Sequence, residues 1–274
     1  APRPDGCYGI VRANAETVEV LSDFTASRTI FYTLLPNLFV ASTSQRAVMH
    51  FMSSFVPDRT AIAWMVSSGT LGPSQSWEER IEAVPPDSTL RLDRTSWELT
   101  VQRGLAWEPF DPAGEPRQTQ RSRLAESLDR TLSGLELDVS RWPLLLTGGV
   151  DSREILLRLQ DAPGLTTVTW GTREALEEPD SDATRARELA EACGVSHEYH
   201  TLPERPNDAE AVFERFLVAG EGRTDDIKHY TDRFALFESL AGGDSVGIIG
   251  GDEGFGWNPA ATRDEVRRGI GATM

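Results

Sequence analysis

The chain has 274 residues, of which 39% are hydrophobic and 26% charged. That is the composition of a globular protein with room for two domains at ~100–200 residues each. A net charge of −16 argues against a nucleic-acid partner, because phosphate binding needs clustered Arg and Lys, and it disfavours an anionic membrane surface.

No apolar run approaches the ~20 residues of a membrane span, and no signal-peptide pattern opens the chain. Cys7 and Cys193 form neither a metal spacing nor a disulfide framework. A reducing, cytoplasmic setting is expected.

Residues 5 to about 103 read as β-rich. Short β-branched or aromatic runs occur at 9–11, 17–21, 29–32 and 38–41, separated by polar turns. Ser44 is placed to cap a helix over 45–51. The stretches 90–93 and 97–101 alternate apolar and polar around a turn, the pattern of a hairpin with one buried face. Residues 108–118 are rich in Pro, Gly and charge, and are the expected linker. A helix over 118–132 follows, with Leu124, Leu128 and Leu132 on one stripe.

From Pro143 the rhythm becomes strand, helix, strand, helix. Strands are expected at 143–147, 165–170, 197–201 and 245–250, and helices at 152–160, 181–193, 208–219 and 230–241. Such alternation argues for a parallel sheet with helices on both faces, whose ligands bind at the C-terminal strand ends. His197 and His200 are two apart, which is wrong for a helical metal pair; they are expected to be ordinary strand residues.

The most informative stretch is Leu144-Leu145-Leu146-Thr147-Gly148-Gly149-Val150-Asp151-Ser152-Arg153. A buried strand that ends in glycines and feeds a helix is a phosphate cradle. Glycine lets the backbone approach an anion, and exposed N–H groups with the helix dipole favour negative charge. Asp151 can hold a Mg²⁺ that bridges phosphates. An ordinary strand-to-helix connection with two turn glycines fits the same residues. Arg153 is either a fixed cation that clasps a phosphate or carboxylate or a helix-surface salt-bridge partner.

A second strand end repeats the device: Gly250 and Gly251 are followed by Asp252 and Glu253. Carboxylates on both sides of a polyphosphate would let Mg²⁺ neutralise departing pyrophosphate. Arg223, Asp225, Asp226, Lys228 and Tyr230 form a polar cluster before a helix. They either face a substrate or make a solvated loop.

Thr147-Gly148-Gly149-Val150-Asp151-Ser152 resembles the S-G-G-x-D-S loop of the PP-loop ATP pyrophosphatases. With Gly250-Gly251-Asp252-Glu253-Gly254-Phe255-Gly256 it is similar to the synthetase domain of class B asparagine synthetases, whose relatives include β-lactam synthetases and lasso-peptide cyclases. Residues 180–197 resemble the family's D-x-x-x-A-x-x-x-A-x-x-x-G-x-x-H helix and turn. Residues 18–42 resemble the R-D-x-x-G-x-x-P-L-Y-Y and F-A-S stretches of its glutaminase-type domain.

The resemblance implies a mixed fold of α/β and α+β parts. Residues 1–107 would be a truncated, Ntn-type glutaminase-like domain, 108–118 a linker, and 119–274 a PP-loop synthetase domain. ATP and Mg²⁺ are the implied cofactors. Thr147, Gly148, Gly149, Asp151 and Ser152 would hold pyrophosphate, and Asp151 and Asp252 the Mg²⁺. Backbone at Leu145 and at Trp170 and Gly171 would hold adenosine, while Gly250 and Gly251 admit the α-phosphate. Asp151, Asp252, Arg153 and Glu253 are the implied catalytic residues. The implied reaction joins a carboxylate and an amine, small molecules or peptides, through an acyl-adenylate. A homodimer or a partner protein of the same pathway is left open.

Three departures bear on this. Cys7 does not match the family's N-terminal catalytic cysteine, so glutamine hydrolysis is not expected. The family writes S-G-E-G-x-D-E-x-F-G-G, and here its glutamate is absent and Trp257 replaces the last Gly. No lysine follows Lys228, so either the second domain is incomplete at its C-terminus or the activity is altered. A degenerate nucleotide-binding scaffold and a nucleoside-modifying PP-loop enzyme are the alternatives.

Overall fold

A computed structural model describes residues 4, 6–72, 75–104, 114–135, 137–202, 208–225, 227, 236, 238, 240, 247 and 248. Its contacts divide the chain into two compact units. One is drawn from Ala1–Phe110 and Glu214–Asp226, the other from Asp111–Phe213 and Ile227–Ile270. The described residues combine antiparallel sheets with a three-stranded parallel sheet. None of the described helices is long and apolar enough to cross a membrane.

The first unit holds two antiparallel sheets. One has the order β1(Gly9–Ala13), β2(Thr17–Ser22), β6(Ser88–Asp93), β7(Leu99–Arg103); the other has β4(Leu38–Ser42), β3(Phe31–Leu35), β5(Glu82–Ala83). Successive side chains of a strand point to opposite faces, and β3 uses both. Tyr32 packs with Val20, Leu90 and Phe39 between the sheets. Phe31 packs with Val48, Ile81 and Met49 under helix α1(Gln45–Met49). Ser44 caps α1 as its sequence foretells, with its hydroxyl accepting from Ala47 N–H at 3.1 Å.

A helix that the sequence reading passed over, α2(Arg59–Ser68), is capped by Asp58 and ends at Gly69, whose φ is 74°. Glu221 ties its own segment into this unit. Its carboxylate accepts from the Ser44 hydroxyl and from Gln45 N–H at 2.9 Å. The Trp77 indole donates to its carbonyl at 3.0 Å.

Asp23 closes the turn between β2 and β3. It is buried, and its carboxylate accepts N–H bonds from Thr25 and Ser27 at 3.0 Å, Tyr8 at 3.2 Å and Arg28 at 3.4 Å. Three residues on, Ala26 sits in the left-handed region at φ 53°. Glycine is the residue type to which this conformation costs nothing.

In the second unit, α3(Arg117–Gly134) is present but buries no residue; Leu124 of the expected apolar stripe is exposed. The parallel sheet has the order β10(Ser196–Thr201), β9(Thr166–Gly171), β8(Leu144–Leu145). On the free side of β8, Leu144 bridges Ile248 in parallel, with Leu145 N–H donating to Ile248 carbonyl at 3.0 Å. On one sheet face Leu144 and Leu146 pack with Ile155 and Leu156 of α4(Val150–Leu159) and Ala186 and Ala190 of α5(Asp182–Ala192). On the other face Leu145, Val168 and Trp170 pack with Leu236 and Leu240. The parallel sheet is therefore covered on both sides, as its apolar strands require. α6(Ala209–Gly220) runs from one set of residues to the other.

Candidate functional site

The chain moves outward from β8 in one direction to β9 and β10, while its later segment at 247–248 lies on β8's other side. Sheet order therefore reverses at β8. In open α/β sheets ligands bind outside the carboxyl ends of the strands at such a reversal. The loop that leaves this end of β8 is Leu146 to Ser152.

Side chains lock the loop from within. The Thr169 hydroxyl donates to Leu146 carbonyl. The Ser152 hydroxyl, buried on the first turn of α4, accepts from Thr147 N–H at 3.1 Å and lies 3.0 Å from the Thr147 hydroxyl. Thr147 Oγ1 in turn accepts from Gly149 N–H at 3.2 Å. Gly149 is the N-cap of α4, and among the described residues no side chain caps the helix's first N–H groups. Those groups carry the partial positive charge of the helix end.

The glycines have separate reasons. A Cβ on Gly148 would lie 2.6 Å from Asp182 Oδ1 and 3.0 Å from Arg185 Cδ, so the start of α5 occupies that space. A Cβ on Gly149 would meet only Thr147 Oγ1, at 3.1 Å. At the neighbouring strand end, the Tyr199 hydroxyl stands 2.7 Å from where a Gly171 Cβ would be and donates to Thr172 carbonyl at 2.6 Å. Burial, then the charge of Glu174, holds the Tyr199 pKa above its ordinary value.

Asp151 lies in the first turn of α4, half-buried, with no ion pair among the described residues. Arg153 donates from Nη2 to Gly148 carbonyl at 3.0 Å. It makes no salt bridge among the described residues, and its buried Nε has no partner there. The structure thus gathers Leu145, Thr147, Gly148, Gly149, Asp151, Ser152 and Arg153 on one strand-loop-helix, with Trp170 and Gly171 ending the adjacent strand. Gly250, Gly251, Asp252 and Glu253 lie outside the described residues. No cluster of three metal-ligating side chains occurs among the described residues.

Asp182 and Arg185 belong to the segment singled out in the sequence, but were not expected beside the loop. The N-cap Ser181 just before them marks a helix start aimed at the strand ends. Of the polar cluster, Arg223 and Asp225 fall in the first unit. The Arg223 guanidinium stacks 5.3 Å from the Phe31 ring centroid and donates to Thr29 Oγ1 at 2.8 Å. Asp225 N–H donates to Gly69 carbonyl at 2.8 Å. Asp226, Lys228 and Tyr230 lie outside the described residues. His197 is a strand residue whose Nδ1 is 2.9 Å from Thr167 Oγ1; burial, then Arg187, lowers its pKa.

No protein-family model matches the chain, and no curated protein matches it significantly.

Proposed function

We propose that this chain is an AMP-forming amide ligase of the asparagine synthetase type. The observation that carries the reading is the Thr147–Ser152 loop, placed at the end of β8 where sheet order reverses, with helix N–H groups beyond Gly149 left without a side-chain cap. The two facing antiparallel sheets under α1 support a glutaminase-type N-terminal domain, and the two-faced parallel sheet supports a PP-loop synthetase domain.

The substrates are Mg·ATP, a carboxylate and an amine. A carboxylate oxygen attacks the α-phosphorus as the bond to the bridging oxygen breaks, and pyrophosphate leaves. The amine nitrogen then attacks the acyl carbon, the bond to AMP breaks, and the nitrogen's proton passes to a base. The first step is chiefly charge stabilisation. N–H groups at the start of α4 would receive the β- and γ-phosphates, and Asp151 would hold a Mg²⁺, which supplies positive charge against them. Where acid and amine belong to one molecule, the product is a lactam, a macrolactam if that molecule is a peptide.

Thermal unfolding with and without Mg·ATP, on wild type and Asp151→Ala, tests this. Ligand at about 100 times its Kd adds roughly 2.7 kcal/mol of stability. Wild type shifts and the variant does not; an accepted acid releases pyrophosphate, and AMP follows when the amine is added. No shift in the wild type leaves a non-catalytic scaffold as the reading.

A further inference from the structure

The peptide joining Gly148 to Gly149 is flanked by two residues without Cβ, so little steric resistance opposes its rotation. In a trans peptide the carbonyl and the N–H point opposite ways, and no cis bond occurs among the described residues. This peptide is held at both ends. Its carbonyl accepts from Arg153 Nη2 at 3.0 Å, and its N–H donates to Thr147 Oγ1 at 3.2 Å. Rotating it by half a turn would break both bonds and exchange the places of a carbonyl oxygen and an N–H.

We infer that Arg153 is a positioning residue that prevents this flip, keeping the Gly149 N–H, and not the Gly148 oxygen, on the phosphate side of the loop. The inference rests on the reading of the loop as a phosphate cradle. Three observations support it. The Arg153 side chain folds back over the loop with its Nε buried and without a partner among the described residues, so solvent does not hold it there. Among the described residues the Gly148 carbonyl is the acceptor that Arg153 meets, and no carboxylate pairs with it there. Gly149 has φ −72°, which any residue adopts, whereas the flipped peptide carries φ to the positive side, which only glycine tolerates well.

The last point supplies a rescue. Arg153→Met frees the flip, and adding Gly149→Ala restricts it again without restoring the cation. The readout is the Gly149 amide in protein labelled with ¹⁵N-glycine, followed by hydrogen exchange, together with the Kd for Mg·ATP. Arg153→Met is expected to speed exchange at this amide and weaken Mg·ATP binding, each by about tenfold, the loss of a hydrogen bond to a charged group. The double variant recovers most of both. If Arg153→Met does not fold, Arg153→Lys keeps the charge but loses the planar fork, and faster exchange at the same amide is again expected.

Unchanged Gly149 exchange without the guanidinium, or a double variant that recovers nothing, overturns the role of Arg153. A wild type that binds no Mg·ATP overturns the ligase reading instead, and the amide readout in the free protein still decides whether Arg153 holds the peptide.

Discussion

The Ser152 hydroxyl and the Thr147 backbone form a closed pair: Ser152 Oγ lies 3.1 Å from both Thr147 N and Thr147 O. The first turn of α4 is thereby fastened to the end of β8 across the glycines. Ser152→Ala leaves the Thr147 N–H and carbonyl without this partner, at a cost of about 1–3 kcal/mol. Urea denaturation should show a lower midpoint with an unchanged slope.

Gly148 is expected to be less replaceable than Gly149. An alanine at 148 drives its Cβ into Asp182 and Arg185, whereas at 149 it meets only Thr147 Oγ1 at 3.1 Å, a contact relieved by a shift of a few tenths of an ångström. Overpacking of this kind costs about 1–3 kcal/mol. Melting of Gly148→Ala beside Gly149→Ala should place the first well below the second, and equal melting would mean that α5 yields freely.

Much of this arrangement is legible in the sequence, because local signals and burial agree. The apolar run at 144–146, the glycines after it and the helix beyond coincide with β8, the loop and α4. Ser44 announces α1. α2 is harder to read: Ile62, Trp64 and Val66 on it are exposed and only Ala61 is buried, so no apolar stripe marks it. Asp58 before it and Gly69 after it were the usable signals. The bond between Glu221 and Ser44 spans 177 positions, and no local pattern foretells a partner at that separation. The same holds for Asp182 behind Gly148.

Asp23 gives the first unit a defined acid sensitivity. Burial works to raise its pKa, but N–H bonds from Ser27, Thr25 and Arg28 overcome that and hold it at about 2, against an ordinary 3.8. The depressed value means stability that is fully present above the unfolded pKa and is lost as pH falls from there through the folded value. It amounts to roughly 2 kcal/mol at neutral pH. Asp23→Asn removes the charge, so the gap in unfolding free energy between wild type and variant should be widest above pH 5. It should narrow steadily between pH 4 and 2. A gap that stays constant over that interval would mean the carboxylate's charge contributes nothing.

Ala26 carries a conformational cost three residues from that carboxylate. At φ 53° its Cβ crowds the backbone, a penalty of about 1–2 kcal/mol for a residue other than glycine. The turn tolerates it because Ala26 N–H donates to Asp23 carbonyl at 3.1 Å while the Asp23 carboxylate gathers the neighbouring N–H groups. Glycine would relieve the strain but would add freedom to the unfolded chain, offsetting about 0.5–1 kcal/mol of the gain. Ala26→Gly should therefore raise stability by about 0.5–1 kcal/mol, read as a higher denaturation midpoint. In an Asp23→Asn background the gain should change, because residues that share one turn do not act additively. A loss of stability in Ala26→Gly would mean that the unfolded-state entropy outweighs the strain at this position.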